Sequence, residues 1–105
     1  MSGRVVALST VGTHEDAERI ARALVERRLA ACVNVLPGVV AFDRWKGAVS
    51  RDEELLLVIK TRRERLEALR EALVGMHGYE VPELVALPVE GGHEPYLAWV
   101  DESVS

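Results

Sequence analysis

Within the ten residues Leu29 to Gly38, LAACVNVLPG, the chain closes a helix, places its only cysteine and begins a long strand. Leu29, Ala30 and Ala31 end a helical pattern with small or apolar side chains. Cys32, Val33, Asn34, Val35 and Leu36 then read as a strand, which Pro37 and Gly38 bend. A polar Asn34 buried in such a strand must find hydrogen-bond partners.

The segments on either side follow the same logic. Arg4 to Val11 is short and β-branched and stops at Gly12, the mark of a first strand. Thr13 caps the next helix, with Asp16 at the capping-box spacing. Ala17, Ile20, Ala21 and Leu24 recur at helical spacing to about Arg28, and Glu15 with Arg19, Glu18 with Arg22 and Arg22 with Glu26 are expected ion pairs. Strand two runs from about Ala31 to Trp45, with an irregularity at Pro37 and Gly38. Lys46 and Gly47 turn the chain into strand three, Ala48 to Lys60, which ends in the doubly apolar run ELLLVIK.

Thr61 and Glu64 repeat the capping-box spacing before a stripe of Leu66, Leu69, Leu73 and Met76 that ends near His77 and Gly78. A Pro-punctuated link, Tyr79 to Glu83, leads to strand four, Leu84 to Val89. Gly91 and Gly92 close it. Pro95 fits the first turn of a short terminal helix with Tyr96, Leu97, Trp99 and Val100, after which Asp101 to Ser105 are expected to fray.

The resulting order, βαββαβ plus a terminal helix, predicts an α+β fold: a ferredoxin-like sandwich with two helices on one face of a four-stranded sheet. The other face stays bare. Because ELLLVIK and LVALPV are apolar on both sides, that face predicts an oligomer. At 105 residues, 49% of them apolar, residues 1–105 fit a single domain. A net charge of −4, with both signs interspersed, argues against a nucleic-acid surface. MSGRVVALST carries no long apolar run behind a cationic start, so neither a signal peptide nor a membrane span is expected, and we read the chain as cytoplasmic. One cysteine without CxxC spacing fits a reducing compartment.

Five stretches together carry a family resemblance: LVERRLAACVNVLPG (Leu24 to Gly38), RWKG (Arg44 to Gly47), EELLLVIKT (Glu53 to Thr61), HGYEVPELVALPV (His77 to Val89) and YLAW (Tyr96 to Trp99). The sequence resembles the CutA divalent-ion tolerance family. That resemblance implies a homotrimer packed through extended hairpins and edge strands, a cytoplasmic location in bacteria, and an association with copper and other divalent metals, but no reaction. Two positions depart from the family pattern: Gly78 follows the His where many relatives have Pro, and Ala41, Phe42 and Asp43 replace a stretch often reading Ser-x-Tyr.

Several residues carry candidate chemistry. Cys32 offers a soft thiolate for Cu(I), or packs as a small hydrophobe. His77 sits at a helix end, as a metal ligand or as a cap. His14 and His93 lie beside carboxylates without ligand spacing, and are expected to be solvated. Lys60 and Glu83, at the ends of two strands, form an ion pair or edge a ligand cleft. Trp45, Tyr79, Tyr96 and Trp99 suit either an interface or the walls of such a cleft.

The function expected is therefore that of a metal-tolerance trimer binding copper or other divalent ions, with no turnover, no organic cofactor, and no nucleic-acid or membrane partner. A second reading is a regulatory trimer similar to the PII proteins, holding a small anion between subunits near Lys60 and Glu83. A third, an acylphosphatase-like enzyme, lacks a Gly-rich phosphate loop with a following Arg near strand one.

Overall fold

The computed structural model describes residues 3–105. Strand β1 (Arg4–Val11) leads into helix α1 (His14–Glu26). Strands β2 (Cys32–Trp45) and β3 (Ala48–Arg62) form a long hairpin. Helix α2 (Leu66–Met76), strand β4 (Val85–Pro88) and helix α3 (Glu94–Ser103) complete the chain. The sheet order is β2-β3-β1-β4, and every neighbouring pair is antiparallel.

Alternation along the strands divides the sheet into two faces. Ala7 and Val11 of β1 and Leu55, Leu57 and Ile59 of β3 point to one side. There they pack with Ala17, Ile20 and Leu24 of α1 and with Leu69 and Leu73 of α2. The helical stripes of the sequence are thus the lid of the core. The opposite face is only part-covered: Leu36, Val85 and Leu87 are 42%, 51% and 52% exposed. Asn34 lies on this open face, exposed rather than buried, with its Oδ1 accepting from the Lys60 ammonium.

Beyond the end of β1 the hairpin continues alone. Pairing of β1 with β3 stops at Val11 and Leu55, whereas β2 and β3 remain paired from Val39 and Glu54 out to Trp45 and Ala48. This arm gives the molecule its 44 Å long axis. At its tip Lys46 and Gly47 both have positive φ, 51° and 84°, as a type I′ hairpin turn demands. At its base the register shifts between Leu36 and Val39, where Gly38 takes a left-handed φ of 77°.

Four local expectations are corrected. Helix α1 ends at Glu26 rather than about Arg28, because Arg28 adopts a left-handed φ of 58° and the amides of Leu29 and Ala30 fold back to the Leu24 carbonyl. On α1 Arg19 pairs with Asp16, 3.1 Å away and three residues back, rather than with Glu15. Thr61 caps nothing: it is fully buried and its Oγ1 donates to the Leu29 carbonyl at 2.7 Å, while a 3-10 turn at Arg63–Arg65 starts α2. Thr13, by contrast, does cap α1, accepting from the Asp16 amide at 3.0 Å.

The fourth correction is at the C-terminus, which does not fray. Asp101 is gripped by two guanidinium groups, Arg4 at 2.7 Å and Arg62 at 2.6 Å, and Val104 is 2% exposed in a cluster with Ala31 and Val100. Hydrogen bonds from Arg4 and Arg62 depress the Asp101 carboxyl to about 2. A carboxylate held below its ordinary value contributes stability that is complete above that value and is lost as acid titrates it. Acid unfolding of the wild type should therefore include a component between about pH 4 and pH 2, which Asp101→Asn flattens; circular dichroism against pH reads the difference. Thr61→Val keeps the shape but removes a donor from a buried carbonyl, a loss of about 1–3 kcal/mol, to be checked by denaturant unfolding.

Candidate functional site

The bulge at Pro37 and Gly38 decides what the arm presents. Before it, Cys32, Asn34 and Leu36 oppose Lys60, Val58 and Leu56. After it, Val39, Ala41, Asp43 and Trp45 oppose Glu54, Asp52, Ser50 and Ala48. One extra residue exchanges the faces of β2, so Asp43 and Trp45 come to the side that carries Glu54, Asp52 and Ser50. That side forms one wall of a cleft of about 680 Å³. Tyr79, Glu80 and Val81, in the link between α2 and β4, form the other wall, and Gly12 closes the end.

The cleft is strongly acidic. Asp43, Asp52, Glu53, Glu54 and Glu80 line it against the single cation Arg44. Lys46 at the arm tip reaches Glu80 at 3.9 Å, a loose and well-exposed contact between the two walls. Glu54 is the buried member, 9% exposed, and accepts a 2.7 Å hydrogen bond from the Tyr79 hydroxyl. A buried carboxylate needs such a donor. Burial and the neighbouring Glu54 together push the Tyr79 phenol far up from its ordinary 10. Gly12 leaves the phenol uncrowded: a Cβ there would stand 3.3 Å from the Tyr79 oxygen, a tight contact.

His77 anchors this wall from behind. Its Nδ1 accepts from the Tyr79 amide at 3.0 Å, its Nε2 lies 2.7 Å from the Thr10 carbonyl, and its ring sits 4.6 Å from the Tyr79 ring. With Nδ1 accepting, Nε2 carries the proton and donates to Thr10. A metal at His77 would have to displace one of these bonds.

The remaining candidates lie elsewhere. Cys32, half-buried, is level with Lys60 and Val6, whereas His77 meets β1 at Thr10, four residues or roughly 13 Å along the strand. The Cys32 Sγ stands 3.9 Å from Asn34 Oδ1. Lys60 serves Asn34, and Glu83 is exposed two residues before β4, towards the Thr10 end, so the two charges do not meet within one chain. Tyr96 and Trp99 pack together on α3 at 5.5 Å, and burial raises the Tyr96 phenol, with nearby Cys32 adding to the effect. Of the six residues expected around a ligand cleft, the structure joins Trp45 to Tyr79, and leaves Lys60, Tyr96 and Trp99 towards the other end of the sheet and Glu83 outside both groups. His14 and His93 are exposed.

Reasoning from the sequence passes over the carboxylates, because Ser50 to Glu54 is an unbroken polar run, SRDEE, with no alternation to single out one face. Carboxylate oxygens suit hard, hydrated cations. Among the described residues, no three His, Cys, Asp or Glu side chains converge closely enough to hold an ion unaided.

A sequence profile described as "CutA1 divalent ion tolerance protein" matches residues 5–103. The chain belongs to that family. It is 49% identical over 98 residues to the divalent-cation tolerance protein CutA of Thermus thermophilus, covering 93% of this chain and 95% of that protein. It is also 48% identical over 102 residues to mouse CutA, covering 94% of this chain. The chain spans only 58% of that mouse protein and 54% of a chloroplastic CutA of Arabidopsis thaliana.

Two solved structures superpose closely. The divalent cation tolerance protein of Thermus thermophilus, 47% identical, gives a TM-score of 0.95 over 97% of this chain and 99% of that one. CutA of Xylella fastidiosa, 38% identical, gives 0.96 over 99% and 100%. The names of the family and of the Thermus thermophilus relative describe tolerance, not a class of enzyme. They differ in compartment: one is chloroplastic, and the Archaeoglobus fulgidus protein is described as periplasmic. Among the described residues no helix is long and apolar enough to cross a membrane.

Both phenols titrate above their ordinary value of 10. The protonated Tyr79 hydrogen bond thus supports the fold below that pH and is lost as alkali ionises the phenol. Tyrosinate absorbance should rise only beyond about pH 10, and Tyr79→Phe should remove the more alkaline component.

Proposed function

We propose that the chain acts in divalent-cation tolerance as a homotrimer of ferredoxin-like topology, a single domain over residues 1–105, that binds divalent ions or copper and turns nothing over. The family match supports the role. The observation that carries metal binding is the cleft, where five carboxyl-bearing residues face one guanidinium. Ions there would be cargo held by carboxylate oxygens and retained water, the manner in which hard divalent cations are commonly bound. A Cu(I) site would instead draw on the half-buried Cys32 thiol, since thiolate is the soft donor available.

Strand order and the open face support the assembly. The order β2-β3-β1-β4 is that of a split βαβ sheet, and exposed Leu36, Val85 and Leu87 form an apolar surface that a second copy would bury. A cytoplasmic location belongs to the same proposal, supported by a single unpaired thiol. The rival reading, a PII-like trimer holding a small anion between subunits near Lys60 and Glu83, is disfavoured because those two residues lie apart within one chain and the Lys60 ammonium already donates to Asn34.

Calorimetric titration of the purified protein with Mn2+ and with Cu(I) tests the assignment. Asp52→Asn with Glu54→Gln should weaken Mn2+ by about tenfold or more and leave Cu(I) little changed, while Cys32→Ser should do the reverse. Equal affinities in all variants would remove these residues from any site. Sedimentation of the same samples should show a trimer; a folded monomer at micromolar concentration would end that part of the proposal.

A further inference from the structure

We propose that His77 is a protonation-sensitive latch that fixes the Tyr79–Val81 wall of the acidic cleft. The geometry is that of a clasp with two unlike ends. Nε2 donates to the Thr10 carbonyl, so the ring is moored to the end of β1; Nδ1 accepts from the Tyr79 amide, so the wall hangs from the ring. Tyr79 in turn carries the hydroxyl that satisfies buried Glu54. Only the neutral ring can do both.

A proton added at Nδ1 leaves the Thr10 bond intact and turns the Tyr79 contact into donor facing donor. The amide must then leave, and the backbone that positions the Tyr79 phenol leaves with it. The release is directional: the ring stays on β1 and the wall detaches. Charged and titratable groups face the latch from three sides. On α1 is Arg19, paired with Asp16 and donating to the adjacent Met76 carbonyl at 2.8 Å; on β3 is Glu54, reached through Tyr79; on the link itself are Tyr79 and Glu80. From β1 the latch meets the Thr10 carbonyl. Acid therefore opens the wall of the cleft through one ring.

The consequence for cation binding rests on the reading of the cleft given above. The latch itself is tested with no metal present, so the two fail separately. Amide hydrogen exchange by NMR, corrected for the intrinsic rate, should show protection of the Tyr79 amide falling about tenfold when acid protonates the His77 ring. The His77 ring nitrogen shifts should move in step. His77→Asn, whose side-chain oxygen can accept from the same amide without titrating, should abolish the change, whereas a His14→Gln, His93→Gln variant should retain it. A wild-type ring that titrates while the Tyr79 amide stays protected overturns the latch, even if His77→Asn does not fold. Persistence of the change in His77→Asn overturns it as well.

Discussion

Between Leu36 and Val39, strand β2 takes three steps while its partner takes two, and everything on the arm depends on that mismatch. Strand side chains alternate, so an odd insertion reverses the facing of all that follows. Without it, Phe42 and Arg44 would oppose Ser50 and Ala48, on the strand face that carries Glu54 and Asp52. With it, Asp43 and Trp45 stand there. Pro37 has no amide to give to a ladder, and Gly38 adopts a left-handed φ of 77° that most residues resist. The residues at the bulge are the ones that can form it.

A concentrated set of carboxylates has to be held against its own repulsion; Glu80 and Glu53 have loose, exposed ion pairs with Lys46 and Arg51, and the buried Glu54 is held by a relay of hydrogen bonds. Glu54, the least exposed, rests on the Tyr79 hydroxyl; the Tyr79 backbone rests on His77; His77 rests on the carbonyl of Thr10. Each link takes its position from a rigid neighbour, and the last one is a strand in the middle of the sheet. Gly12, where β1 ends, contributes by having no side chain to block the phenol.

The fold is largely legible in the sequence because periodicity survives in isolation. The stripe at Leu66, Leu69, Leu73 and Met76 and the run ELLLVIK can each be read without knowing what they touch. Tertiary pairing is not legible. Thr61 carries a sound local cap signal, yet a buried carbonyl of Leu29 claims its hydroxyl from 32 residues away. Asp101 looks like part of a loose end because Arg4, its partner, lies 97 residues back along the chain. The site suffers from the same blindness: Pro37 and Gly38 mark an irregularity, but its parity, and hence which of Phe42, Asp43, Arg44 and Trp45 face Glu54, is a property of two strands together. Cys32 and His77 draw attention as rare donors; the commoner carboxylates do not.

The two ends of the sheet differ in how their charge is balanced. At one end Asp101 sits between Arg4 and Arg62, and Lys60 donates to Asn34. There the cations Arg4, Arg62 and Lys60 outnumber Asp101, and each has a hydrogen-bond partner. At the other, five acidic residues outnumber Arg44, and only Glu54 has its oxygen occupied by a donor from across the cleft at close range. Repulsion of this kind is a standing cost to the compact state, softened by water and salt. A cation that enters the cleft relieves it, and a ligand that binds the folded chain alone stabilises that chain by mass action. On the proposals made above, ion binding, the closure of the Tyr79 wall and resistance to unfolding would be three readings of one equilibrium, in which protons at His77 and cations at the carboxylates pull in opposite directions.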